Sequence, residues 1–320
     1  MTAAAAPGTA RAALRDAVGR VAFDGRGGAS VDGAPVAATA EGVAGGLYGA
    51  WYAGLPVGAL AGAVGGAGDD DLRPRLSAAN AGREAWDGGW SFERTDLDGR
   101  AVARRGIVLR AFWPGQWLRA DGVPAPVVPG TPLRVHHPAE ALAQPGFWFA
   151  HGAGGPDPER RLVRVYLNVG EESAEPLTAA LTAALARLAV PFTFKVADRR
   201  ALLARRDSAV LYVEARHFRL AAELVLDAVE ALPVPLGEDA PPLTRPLARG
   251  IGVAEEPGDG SSFGMHRCGL VAEGVLRARD GGVEERLDAV EARFAERGVD
   301  PERPWLAAAT HPDPYGLVAA

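Results

Sequence analysis

Lysine is nearly absent from this chain. Of its 34 cationic side chains only Lys195 is a lysine, and the other 33 are arginines. Where a solvated cation is all that is needed, either residue serves. Arginine, however, does not give up its proton at neutral pH, whereas lysine can. The survival of one lysine therefore marks a position that needs a deprotonatable amine. Cysteine is as scarce: Cys268 stands alone. That excludes an internal disulfide and a cysteine metal cluster, and it suits a reducing cytoplasm. Metal-type spacing is missing too, because His136 and His137 are adjacent and followed by Pro138. There is no excess of positive charge. The net charge of −6 argues against a nucleic-acid footprint. No apolar run follows a basic start, so a secretory signal is not expected, and no internal repeat is visible.

Gly42–Gly66 carries no charge and is long enough for a membrane span. Its many glycines, Pro56, and acidic flanks at Glu41 and Asp69 to Asp71 oppose one, and no basic anchor is present. It reads instead as a glycine-interrupted buried helix presenting Tyr48, Trp51 and Tyr52. These aromatics are the expected partner-contact region.

With 48% hydrophobic and 23% charged residues the chain is globular. Its pattern predicts an α+β fold in one domain over 1–320: a mixed, largely antiparallel sheet with helices packed on one face, and a helical N-terminal region. Residues 1–90 are expected to be mainly helical, with a helix within 1–24 and another over Leu72–Trp90 that stops at Gly88-Gly89. Residues 91–320 hold the sheet. Ser91–Arg119 reads as a β-meander with turns at Asp98-Gly99 and Pro114-Gly115. Asp121–Pro132 reads as a loop, and Leu133–Val135 and Gly146–Ala150 as short strands. Further helices are expected over Glu175–Ala189, Arg216–Leu232, Ser261–Ala278 and Val283–Arg297, with a strand at Arg249–Ala254.

The centre of the chain alternates most clearly. Val163, Val165, Leu167 and Val169 fall on one side of a strand, and Arg164, Tyr166 and Asn168 on the other. Pro191–Val196 and Arg206–Glu214 repeat the pattern. If the three share a sheet, one face gathers Arg164, Tyr166, Asn168, Lys195, Arg206 and Tyr212. One amine among guanidiniums and phenols suits an anionic, phosphorylated ligand.

At RVYLN, PFTFK, RRD.AVLYV, PL.RGIGVAEEPGDGSSFG and HR the sequence resembles the HopA-type effector family, over a span from about Leu76 to about Ala278. Bacterial members are type III secreted effectors. Actinobacterial members sit beside gene clusters for ribosomal peptides such as class V lanthipeptides and thioamitides. For that group the resemblance implies a cofactor-free, metal-free lyase. A separate kinase-like protein phosphorylates Ser and Thr of a precursor peptide, and the lyase removes the phosphate to leave dehydroalanine or dehydrobutyrine. No nucleic acid or membrane partner is implied.

β-Elimination needs a base for the α-proton, cations for phosphate and enolate, and an acid for the leaving oxygen. Lys195 is the expected base, its charged form disfavoured by nearby arginines. Arg206 and Arg267 are the expected phosphate clamps, with Arg164 and Arg245 in support. His266 is the expected acid and Tyr166 its alternative. Backbone N–H groups of Ser262, Phe263 and Gly264, opening a helix, would cradle phosphate. Asp207 would either orient a cation or cap a turn, Asn168 would bond a peptide carbonyl or end its strand, and Tyr212 lines the same face. Two other readings stay open: a non-catalytic peptide- or phosphate-binding scaffold for the kinase, and an effector-like interaction protein.

Overall fold

The computed structural model describes residues 9–24, 27–59, 70–157, 159–308, 310 and 313–315. Within them lie seven α-helices and three antiparallel sheets, the expected α+β class. The first sheet is a small meander of β1 (Val21–Phe23), β2 (Ala29–Val31) and β3 (Ala34–Val36), preceded by helix α1 (Thr9–Gly19). The region expected to be mainly helical therefore carries strands as well.

Helix α2 (Ala40–Leu47) does not run on through the glycine-rich stretch. It passes into a π-helical turn, Tyr48–Tyr52, closed where the Ala53 N–H donates to Tyr48 O at 2.8 Å. The wider turn stacks Tyr48 on Tyr52 with ring centroids 5.5 Å apart, and the Trp51 indole donates to Asp16 of α1 at 3.0 Å. Trp51 and Tyr52 are buried, which removes them as a partner-contact region. The rest of that stretch, from residue 60, lies outside the described residues. Among the described residues no helix is long and apolar enough to cross a membrane.

Helix α3 is only Arg73–Ala79, not the longer helix expected through Trp90. Asn80 stops it: its Oδ1 accepts from the Gly82 N–H at 2.8 Å and its Nδ2 donates to Ala139 O at 3.1 Å. Ala85 onward belongs to β4 (Ala85–Thr95), and Gly88-Gly89 forms a bulge where the register shifts, with Gly89 at φ 79°. β4 is the centre of a five-stranded sheet with β5 (Ala101–Arg105), β6 (Val108–Phe112), β7 (Trp117–Arg119) and β8 (Pro132–His137), in the order β6-β5-β4-β8-β7. The expected meander holds for β4-β5-β6, but β7 lies at the opposite edge beside β8, so Pro114-Gly115 does not join neighbouring strands.

The third sheet has seven strands. β9 (Glu140–Gln144), β10 (Phe147–His151), β11 (Leu162–Leu167), β12 (Phe192–Ala197), β13 (Ala209–Glu214), β14 (Arg245–Ala248) and β15 (Ile251–Glu255) lie in the order β14-β15-β11-β13-β12-β10-β9. Helix α4 (Glu171–Arg187) crosses from β11 to β12, and β13 pairs antiparallel with both. Helix α5 (Phe218–Glu230) then leads from β13 toward β15 on the far side of β11. The order β15-β11-β13-β12 built from strand–helix–strand–strand–helix–strand is the split βαβ, ferredoxin-like arrangement.

The alternation read from sequence sets the packing. Val163, Val165 and Leu167 are fully buried, as are Leu177, Leu181 and Leu185 of α4 and Ala221, Ala222 and Val225 of α5. Helices α4 and α5 pack on each other and on the middle of the sheet, the layer that was expected. A second layer covers the other face: α2 with its π turn, and α6 (Phe263–Arg277), backed by α7 (Val283–Glu296). That face carries polar side chains and yet is buried, so a group on it without an internal partner is costly to hold there.

Candidate active site on the large sheet

Register decides which side chains share the face. Tyr166 stands opposite Val210, Val210 opposite Lys195, and Lys195 opposite Phe149. Paired residues point to the same side of a sheet, so Tyr166 and Lys195 share a face two strand spacings apart, about 10 Å. The next row is Arg164, Tyr212, Thr193 and His151.

Lys195 is 7% exposed. Its Nζ lies 4.3 Å from the Phe147 ring centroid and 5.9 Å from that of Tyr212. Among the described residues it has no hydrogen-bond or ion-pair partner. Its Nζ is therefore uncommitted to any hydrogen bond, between two aromatic walls, with its charge felt by Asp207.

Tyrosines and a guanidinium pack beside it. Tyr52 meets Tyr166 edge to face at 6.3 Å, and Phe263 is 6.2 Å from the Tyr166 ring. Arg164 reaches the Tyr166 hydroxyl at 3.5 Å. Burial pushes the Tyr166 phenol up to about 12, against the pull of Arg164. It keeps its proton at neutral pH. The buried Tyr52 hydroxyl faces that of Tyr166, and burial raises its pKa as well.

The four arginines expected to clamp phosphate are each committed elsewhere. Arg164 forms a two-pronged pair with Glu256 and lies over the Tyr212 ring at 5.1 Å. Arg206 is not on the face. It sits in the turn before β13, with its guanidinium on Trp51 O at 2.7 Å and Asp239 at 3.7 Å. Arg245 pairs with Asp313, and the register Arg245–Val253–Val165 puts it on the aliphatic face. Arg267 is fully buried and donates to Pro304 O and Leu306 O, both at 2.7 Å. It pins the segment after α7 to α6. Loss of water lowers its pKa to about 10, since no carboxylate pairs with it among the described residues.

His266 goes with Arg267. Its Nδ1 accepts from Arg267 at 2.6 Å, leaving the proton on Nε2, 3.6 Å from Asp259. Burial and then the Arg267 charge push it down to about 4. It lines a cleft of ≈ 350 Å³ with Glu41, Ser261, Glu273 and Arg297. A neutral ring held this way has no proton to spare for a leaving group at neutral pH, and no contact joins it to Lys195. The helix-opening residues are also occupied. Ser262 caps α6 by accepting from the Met265 N–H at 3.3 Å, Phe263 is buried, and a Cβ on Gly264 would come within 2.5 Å of the Tyr52 ring. Asn168 ends β11, donating to Asp239 O at 2.9 Å.

Asp207 orients a cation, but one missed in the sequence. Arg205 grips it with two bonds of 2.7 and 2.8 Å and bonds the Tyr48 hydroxyl at 2.9 Å, with its guanidinium 5.2 Å from the Phe147 ring. In ARRDSAV either arginine could have taken this role, and only the half-buried Tyr48 decides between them. His151 was missed as well, because its strand was read as ending at Ala150. Among the described residues no group of three His, Cys, Asp or Glu side chains could hold a metal.

Comparison with known proteins locates the likeness in this sheet. The model of the HopA1 effector protein family matches residues 139–306, so the likeness begins at β9 rather than near Leu76 and runs past Ala278. Among solved structures, an effector protein from Pseudomonas syringae pv. tomato strain DC3000 is 22% identical with a TM-score of 0.41. One from Pseudomonas syringae pv. syringae strain 61 is 24% identical with a TM-score of 0.39. Each match covers 51% of this chain and 63% of the other, so the chain spans less than two thirds of either effector. No curated protein matches.

Proposed function

The chain belongs to the HopA1 effector protein family, and from that premise we propose that it is a phosphoserine/phosphothreonine lyase acting on a ribosomal precursor peptide. A kinase-like partner would supply the phosphorylated peptide, and the setting would be the cytoplasm. The observation that carries this reading is Lys195: the chain's single lysine, buried, walled by Phe147 and Tyr212, and free of hydrogen-bond partners among the described residues.

In the proposed step the amine form of Lys195 takes the α-proton. The electron pair left behind forms the Cα=Cβ bond as the Cβ–O bond breaks. The phosphate departs with that bond's electrons and takes a proton from an acid on the same face. Tyr166, protonated at neutral pH and two strands away, is the acid this reading favours over His266. Arg164, held by Glu256, contributes positive field across Tyr212 rather than a direct clamp.

The test uses a synthetic phosphothreonine peptide and follows loss of phosphoric acid by mass. Lys195→Ala and Lys195→Arg should both lose about 10²- to 10⁴-fold in rate, the usual contribution of a general base. An arginine variant with near-normal turnover would remove the base assignment. Peptide binding without elimination by the unaltered protein would favour a binding scaffold.

A further inference from the structure

With Arg164, Arg206, Arg245 and Arg267 all engaged, a phosphate on this face must be met by other groups. The second row supplies them. His151 is opposite Thr193 and two residues beyond Phe149, which is itself opposite Lys195. His151 is thus the diagonal neighbour of Lys195, about 7–8 Å away along the sheet. The chain leaves the five-stranded sheet at His137 and enters the large sheet at Glu140. That short link brings the His137 ring, tilted, to 4.9 Å from that of His151.

We infer that His137, His151, Thr193 and Arg110 form a subsite for a phosphate monoester beside Lys195. Of the four ring nitrogens, only His151 Nδ1 has a hydrogen-bond partner among the described residues, the Thr193 hydroxyl at 3.2 Å. His137 Nε2 is fully shielded and unpartnered. Half-buried imidazoles normally have partners, and here the surroundings select the kind. Arg110 of β6 is exposed, has no ion-pair or hydrogen-bond partner among the described residues, and its charge reaches both rings. Arg105 of β5 adds positive charge around His137, while the two nearby carboxylates are engaged, Asp87 of β4 with Arg105 and Glu84 with His136. A metal ion would be repelled by this set, and no third ligand joins the two histidines among the described residues. An anion is attracted.

Burial, then His137 and Arg110, push His151 down to about 4, and His137 is lowered by burial as well. The neutral form of each ring is thereby favoured in the free protein. A phosphate dianion would oppose these effects and raise both values, so binding takes up protons. Affinity should rise as pH falls from 8 toward 6, where the ester itself begins to protonate. A proton taken up by His151 would then sit next to the leaving oxygen, a second acid for the elimination.

The inference rests on the lyase reading only in choosing a phosphate ester, and its test needs no turnover. Lys195→Ala protein with isotope-labelled histidine is titrated with inorganic phosphate and, separately, with a phosphothreonine peptide, at pH 8, 7 and 6. The expected result is saturable movement of the His137 and His151 ring signals with both probes, tighter at pH 6 than at pH 8. Arg110→Ala and His151→Gln should each weaken binding roughly tenfold or more, with a folded spectrum retained. Ring signals that do not move, or affinities unchanged in both variants, would overturn the subsite. Phosphate bound with the peptide excluded would overturn the ester. Binding as expected beside an inactive unaltered protein would leave the subsite standing and sink the lyase instead.

Discussion

In the seven-stranded sheet Val163, Val165, Phe194 and Leu211 are fully buried on one face, and Arg164, Tyr166 and Lys195 are nearly as buried on the other. In the five-stranded sheet the buried set is small: Trp90, Phe92, Ala101, Ala103, Leu133 and Val135. Around it Leu97, Ile107, Leu109, Trp113 and Val128 stand in solvent. The large sheet has helices on both sides, and the small one buries a single cluster, against which Val127 of the loop between β7 and β8 packs. On a sheet covered twice most polar groups pair with one another, as Arg164 does with Glu256 and Arg205 with Asp207, and the unpaired Lys195 stands out. A sheet covered once can leave apolar groups wet without such pairing. The family likeness starts where the chain passes from the second kind of sheet to the first, and the proposed chemistry lies on the doubly covered one.

The largest expected effect tests whether the two sheets are one cooperative unit. Phe194→Ala removes a ring from the main core and should cost about 3–5 kcal/mol, measured by urea unfolding. Hydrogen exchange should then speed up across β11, β12 and β13. Phe92→Ala removes a nearly as buried ring from the small core, and its effect should stay with β4, β5 and β8. Equal loss of protection in β11 would show the sheets to be a single unit and erase the distinction.

Next in size is the pairing that lets the doubly covered face stay polar. Burial alone would raise the Asp207 carboxyl, but the Arg205 charge and bonds, with Lys195 and Tyr48, hold it below its ordinary value. Asp207→Asn leaves Arg205 buried without its countercharge and should cost ~3 kcal/mol at pH 7. The sign follows from the depressed value. The stabilisation is present above the unfolded carboxyl's pKa of about 3.9 and is lost as pH falls through the lower folded value. The gap between the original protein and the variant should therefore narrow below about pH 4. A gap as wide at pH 3 as at pH 7 would mean that the carboxylate's charge is not what stabilises the face.

Much of the large sheet was legible because alternation is a local signal. Val163 to Leu167 and Phe192 to Val196 declare their faces within a few residues, and the strands fell where the pattern put them. Leu72–Trp90 was misread because its helical spacing of Asn80, Arg83 and Trp86 competes with β pairing to β8. That pairing is non-local, and it won. The site was half legible. Lys195, Tyr166, Arg164 and Tyr212 were placed together by alternation alone. The arginine roles were not legible, because a guanidinium's partner lies far off in sequence: Glu256 for Arg164, Asp313 for Arg245, the Pro304 and Leu306 carbonyls for Arg267. Nor could sequence show that His137 and His151, from different sheets, would meet.

The smallest expected effect is at the rim of the small sheet. Ile107 is 80% exposed, in the turn between β5 and β6, where its N–H donates to Glu159 at 2.8 Å. Replacing it with Thr keeps that backbone bond and the β-branched shape. The side chain is nearly as wet in the folded protein as in the unfolded chain, so little transfer energy is lost. Ile107→Thr should change stability by no more than about 0.5 kcal/mol, as is usual for surface positions. Leu211→Thr, the same loss of apolar character on the doubly covered sheet, should cost several-fold more, because the hydroxyl would enter a core with no partner for it. Thermal melts of both variants at two protein concentrations check the contrast. A fall of more than 1 kcal/mol for Ile107→Thr, growing with concentration, would mean that the rim is covered by a second copy in solution, and that the small sheet is covered twice after all.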